Sequence, residues 1–148
     1  MERGRVHRLT CCKLYNLYLC SANFASIIEP LYVHTASTDS LVRLALSRQL
    51  RNTARLELSK QTGSIHSEAI YRESASAFEA LAALLGDEVY FFSAKKPTLF
   101  DAAVFAYTNL LLDDKLPWRD LRMRDDLKKW QNLIRHRERI LHEYFGSG

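Results

Sequence analysis

The chain carries little that would break a helix or build a sheet. Its 148 residues include only 5 glycines and 3 prolines. Leu, Ala, Arg and Glu are abundant, which favours helix, and no glycine-punctuated alternation of apolar and polar residues supports strands. The predicted fold class is therefore all-α. Cysteine is scarce too: Cys11, Cys12 and Cys20 all fall in the first predicted helix. An adjacent pair is poorly placed to bridge, and an odd count leaves no disulfide framework. Without a Cys-x-x-Cys or a histidine at ligand spacing, the three read as small buried hydrophobes.

Long apolar runs are missing as well. The stretch after Arg8 is interrupted by Lys13, Asn16, Ser21, Asn23, Ser26 and Glu29, so it reads neither as a membrane span nor as a signal peptide. The chain is mildly basic, with a formal net charge of +4 and a pI near 9.0; no nucleic-acid reader motif is present, and an acidic partner surface or an anionic headgroup layer is equally compatible. The histidines His7, His34, His66, His136 and His142 are scattered, with no His-Glu-x-x-His, no Gly-x-Ser-x-Gly and no phosphate loop. The paired carboxylates Asp113/Asp114 and Asp125/Asp126 sit where turn and helix-start residues belong. No catalytic, cofactor-binding or metal-ligating residue is predicted, and no cofactor.

What is present is hydrophobic mass, 47% of residues, enough for one packed domain. It is organised around Pro97-Thr98-Leu99-Phe100-Asp101-Ala102-Ala103-Val104-Phe105-Ala106-Tyr107. Thr98 is the N-cap, its hydroxyl accepting the Asp101 N–H. Asp101 reaches back to the Thr98 N–H, a capping box with Asp in the usual Glu/Gln place. A carboxylate there also meets the positive end of the helix dipole. From Leu99 to Leu112 apolar residues occupy every face, which predicts a helix wrapped by others.

Elsewhere, residues 1–8 are charged and uncapped, and are expected to be flexible. A buried helix follows from Leu9 to about Ser21 or Ile28, where Pro30 is expected to end helix and leave 31–36 as loop. Ser37-Thr38-Asp39-Ser40 signals a start. The helix it opens runs to about Lys60, with Val42, Leu46, Leu50, Ala54 and Leu58 recurring at i+4 and Leu41, Leu44 and Ala45 widening the stripe. Arg48, Arg51 and Arg55 follow another face, a possible partner-docking row and otherwise a solvated surface. A loop with Gly63 leads to a helix over about Ser67 to Leu85, stopped by Gly86 at C′. Val89 to Phe92 are expected to tuck under the domain. After a turn at 113–117, a final helical region carries Met123, Leu127, Trp130, Ile134, Leu141 and Tyr144 as its apolar row, with a kink at 135–139. The domain is placed at 9–145, with 146–148 a tail.

A Thr-x-x-Asp box opening a buried helix in an all-helical chain resembles the C-terminal domain of glutathione transferases. The longer string from Phe91 to Tyr107, with Leu127-x-x-Trp130-x-x-Leu133-Ile134 downstream, is similar to the metaxin branch of that superfamily, over roughly residues 10 to 145. The resemblance implies a bundle of that type, without the thioredoxin-like half that holds glutathione in the enzymes, and hence no enzyme activity. It implies a peripheral subunit on the cytosolic face of the mitochondrial outer membrane. There it would support β-barrel insertion and protein import by the sorting and assembly machinery, with that machinery's barrel and other subunits as partners. Attachment would be through protein. The alternatives are an orphan C-terminal domain of a transferase-like enzyme and a cytosolic helical adaptor.

Overall fold

The computed structural model describes residues 9–62 and 65–146. Among them there is no strand, and seven helices follow one another. Helix α1 spans residues 9–14 and passes directly into a π-wound turn, Tyr15–Leu19. Helix α2 begins at Ser21–Asn23 and continues π-wound through Phe24–Val33. Then come α3 (Ser40–Thr62), α4 (Ser67–Leu85), a 3₁₀ turn at Phe91–Ser93, α5 (Leu99–Leu112), α6 (Arg122–Lys128) and α7 (Gln131–Ile140), the last ending π-wound over Leu141–Phe145. The expected flexibility of 1–8 and most of the tail, together with Gly63, lie outside the described residues.

Local chemistry explains the ends. Asp39 accepts from Leu41 N and Val42 N at 2.8 and 3.1 Å, so α3 starts where the Ser-Thr-Asp-Ser cluster indicates. Helix α4 ends before Gly86, whose φ of +56° is open to glycine at little cost. Gly86 N still reaches Ala82 O.

Pro30 does not end helix as expected. The chain stays helical to Val33, because π winding widens the turn and shifts the bonding to i−5, as in His34 N to Glu29 O at 2.8 Å. A wider turn relieves the clash of a proline ring with the carbonyl four residues back. The last region differs too. The break falls at Trp130, in non-helical backbone (φ −109°, ψ 85°), and α7 runs unkinked through 135–139. Restarting the helix there resets the face, so Leu133, His136 and Ile140 are buried, while Trp130, Ile134 and Leu141 are only half-buried.

The chain folds as two compact units. The N-terminal unit is Thr10–Arg72 with Asp114–Leu121. The C-terminal unit takes Leu9, Glu73–Asp113 and residues 122–146.

In the N-terminal unit, Cys11, Cys12, Leu17, Phe24, Ile27, Ile28, Val33, Ala54 and Leu58 form the core. Its polar centre is Asn23. The Asn23 side-chain amide donates to Asn16 O and Oδ1, each at 3.1 Å. Its Oδ1 accepts from Arg119 N and Asp120 N at 3.0 and 2.8 Å. Tyr71 adds its hydroxyl, 3.1 Å from Asp120 Oδ2. Helix α3 is mostly open: of the predicted stripe only Ala54 and Leu58 are buried, and Leu41 is 75% exposed.

In the C-terminal unit, Phe78, Leu81, Leu85, Phe91, Val104, Leu111, Met123, Leu127 and Leu133 are enclosed. Asn132 on α7 donates to Ala82 O and Gly86 O at 2.8 and 3.1 Å, capping α4 from a distance in sequence. The expectation that α5 is wrapped on every side is corrected on one face: Leu99, Ala102 and Ala106, at i, i+3 and i+7, are exposed. The connector splits in the same way, with Tyr90 and Phe91 buried but Val89 and Phe92 exposed.

Candidate functional site

Thr98 caps α5. Its Oγ1 accepts from Phe100 N at 3.2 Å and Asp101 N at 3.5 Å. Asp101 Oδ2 takes the Thr98 N–H at 2.8 Å and the Thr98 hydroxyl at 2.7 Å. The box is one half of a larger centre. Asp101 Oδ1 accepts from Phe91 N at 3.0 Å and lies 2.9 Å from His136 Nε2. Both the Asp101 and His136 side chains are fully enclosed. One carboxylate thus ties together the start of α5, the 3₁₀ turn and α7.

Burial alone would raise the Asp101 pKa. Donation from Thr98 N, Phe91 N, His136 and the Thr98 hydroxyl outweighs it and holds the group below its ordinary 3.8. His136 is also lowered from its ordinary 6.5, first by burial, with Arg139 adding to it and the bond and charge of Asp101 opposing. An ionised Asp101 offers only acceptors, so Nε2 carries the imidazole proton. Nδ1 has no hydrogen-bond partner among the described residues. A bare acceptor there is cheaper than the unpaired buried N–H that a charged ring would leave. The ring is held edge-on by Phe91 and Tyr90, with centroids at 5.3 and 6.5 Å. Enclosed in this way, the pair is shut off from solvent. It is a fastening.

Beside the hub, the Tyr90 hydroxyl donates to Glu143 at 2.5 Å, and that bond, before burial and nearby charges, lifts its pKa to about 12. Tyr90, Phe105 and Ile140 pack together. Over them lies an apolar groove of about 480 Å³, edged by Thr98, Leu99, Tyr144 and Phe145.

The N-terminal unit has a cleft of about 460 Å³ between α1, α2 and α3, lined by Tyr18, Tyr32, Leu46, Leu50 and Thr53 among others. Burial and the neighbouring Tyr32 raise the Tyr18 pKa. The arginine row does not share one environment. Arg48 and Arg55 are exposed, and Arg55 bonds Asn52 on its own helix at 3.0 Å. Arg51 turns inward, donating to Leu19 O at 3.3 Å and Ser21 Oγ at 2.9 Å, with its guanidinium 5.3 Å from the centre of the Phe24 ring. Among the described residues no group of three or more His, Cys, Asp or Glu is placed to hold a metal, and no helix is long and apolar enough to cross a membrane.

Residues 74–140, which include α5, the hub and most of α7, match the family model described as glutathione S-transferase, C-terminal domain. Over that segment the all-α bundle is glutathione S-transferase C-terminal-like. No curated protein matches the chain. The matched segment contains both Asp101 and His136, so the hub belongs to the part of the chain that carries the family pattern. Spacing alone reveals the Thr98/Asp101 half of it. It misses His136, hidden among Arg135, Arg137 and Arg139. The available signal is the spacing Leu133, His136, Ile140, an inward face once α7 is started at Gln131.

Proposed function

We propose that this chain is a non-enzymatic, metaxin-like subunit, or a fragment of one, of the mitochondrial outer-membrane sorting and assembly machinery. It would be peripheral on the cytosolic face and would support β-barrel insertion and protein import beside the barrel subunit. The observation that carries the reading is the segment from Phe91 to Tyr107, where the metaxin-like string coincides with the glutathione S-transferase C-terminal match over 74–140. The enclosed Asp101–His136 pair supports a non-enzymatic role, since its hydrogen-bonding capacity goes to joining α5, α7 and the 3₁₀ turn. Exposed Arg48 and Arg55 offer charge to an acidic partner surface, while Arg51 serves the packing of its own unit.

The test uses tagged protein incubated with isolated mitochondria. Carbonate should release it, and after mild detergent it should co-migrate with the barrel complex on a native gel. Failure to co-migrate would remove the assembly reading. Saturable conjugation of glutathione to a chloronitrobenzene by the purified chain would favour the transferase-like alternative instead.

A further inference from the structure

We propose that the groove rim in the C-terminal unit, formed by Leu99, Tyr144 and Phe145, together with exposed Phe92, Lys95 and Lys96 on the segment that leads into α5, seats directly on an anionic bilayer surface. The apolar area on offer is in the rim. Leu99, at the first position of α5, is 90% exposed, and Phe145 is 67% exposed, whereas the floor residues Phe105 and Ile140 are already covered. Protruding tips over a filled floor suit a fluid that moulds around them better than a partner helix needing a deep slot. Leu99, Tyr144 and Phe145 edge the same groove. Phe92 lies outside the groove, with its ring 5.2 Å from that of Phe100 in the first turn of α5. Its backbone, with that of Ser93, is left-handed, at φ 62° and 53°. Such a conformation is costly for residues with a Cβ, and it holds a large aromatic half in solvent.

Charge selects the occupant. Lys95 and Lys96 are exposed and have no carboxylate partner among the described residues. Asp101 is enclosed in the hub and presents no carboxylate to them, while Glu143 accepts from the Tyr90 hydroxyl and stays exposed. Aromatic and leucine tips beside free lysines match the layering of a membrane interface, where rings sit at headgroup depth and lysine stems reach back to phosphate. The contact is independent of the assembly-machinery reading, which requires a protein partner that lipid vesicles lack.

The experiment is co-sedimentation of the full chain with vesicles of phosphatidylcholine alone or mixed with phosphatidylglycerol. Binding to the anionic vesicles, weakened by salt, is expected, with little to the neutral ones. Lys95→Glu with Lys96→Glu should lower partitioning by about twentyfold or more. Leu99→Asp and Phe145→Ser should each weaken it, and both sites are exposed enough to leave the helical circular dichroism unchanged. Leu56→Ser, an equally open site on α3, should have no effect. Absence of binding to anionic vesicles would overturn the proposal, as would binding that the rim variants do not reduce or that Leu56→Ser reduces equally. Capture of an acidic amphipathic peptide by the rim without vesicle binding would assign the surface to a protein instead.

Discussion

The C-terminal unit closes around a carboxylate, the N-terminal unit around carboxamides. Asp101 gathers donors from Thr98, Phe91 and His136, while Asn23 both donates to Asn16 and accepts from Arg119 and Asp120. Each joins segments far apart in sequence. A buried carboxylate must be compensated by several donors, and once compensated it is costly to disturb. A buried amide needs only ordinary hydrogen bonds and carries no net charge, so its strength is largely indifferent to pH. The units also differ in cover. Phe78, Leu81, Phe91, Met123, Leu127 and Leu133 of the C-terminal unit are enclosed, whereas α3 in the N-terminal unit leaves Leu41, Val42 and Leu44 to solvent.

The largest expected effect breaks the comparison at its centres. Asp101→Ala should cost about 3–5 kcal/mol, because it strands Phe91 N, Thr98 N and His136 together. Loss of the local cap alone would cost about 1 kcal/mol. Asn23→Ala should cost less than the full hub, about 2 kcal/mol, by leaving two backbone donors without acceptors. The two tryptophans fall one in each unit, Trp118 and Trp130, so urea melts of single-tryptophan variants followed by fluorescence would assign each loss. Equal losses from the two substitutions would erase the distinction between a charged and a neutral hub.

Acid sharpens the contrast. His136 has a folded pKa below 6.5, so the unfolded chain binds its proton first and stability falls as pH drops below about 6.5. Asp101 is held below 3.8. Its contribution is complete above that value and is lost as pH falls through the lower folded one. The Trp130 signal should therefore show a stability slope as pH falls below about 6.5 that His136→Gln flattens, and a second loss in stronger acid that Asp101→Asn removes. A slope unchanged by His136→Gln would place the titration elsewhere.

The smallest effect is local. Thr98→Ala should cost about 1 kcal/mol, and Thr98→Ala with Asp101→Ala should fall short of the sum, since the residues share one motif. Melts of the four proteins decide it: strict additivity would mean that the cap and the hub act separately.

Helix starts and stops are legible in the sequence because the groups that satisfy them lie within four residues of one another. Asp39 ahead of α3, Thr98 and Asp101 at α5, and Gly86 after α4 are all of that kind, effective wherever the local backbone turns helical. The all-α class follows from composition for a related reason, since little glycine or proline is present to oppose helix. The tertiary structure decided what depends on distant neighbours. His136 meets Asp101 only because α7 restarts at Gln131 after the break at Trp130, and Asn132 meets the end of α4 by the same rotation. Asn16 and Asn23 look like interruptions of an apolar run, yet they become a buried centre when residues 119 and 120 arrive to be bonded. Pro30 signals an end to helix by its missing N–H, but a π-wound turn packed through Ile27, Ile28 and Val33 accommodates it. Each of these outcomes turns on whether a polar group meets a partner across the fold, and spacing along the chain does not encode that meeting.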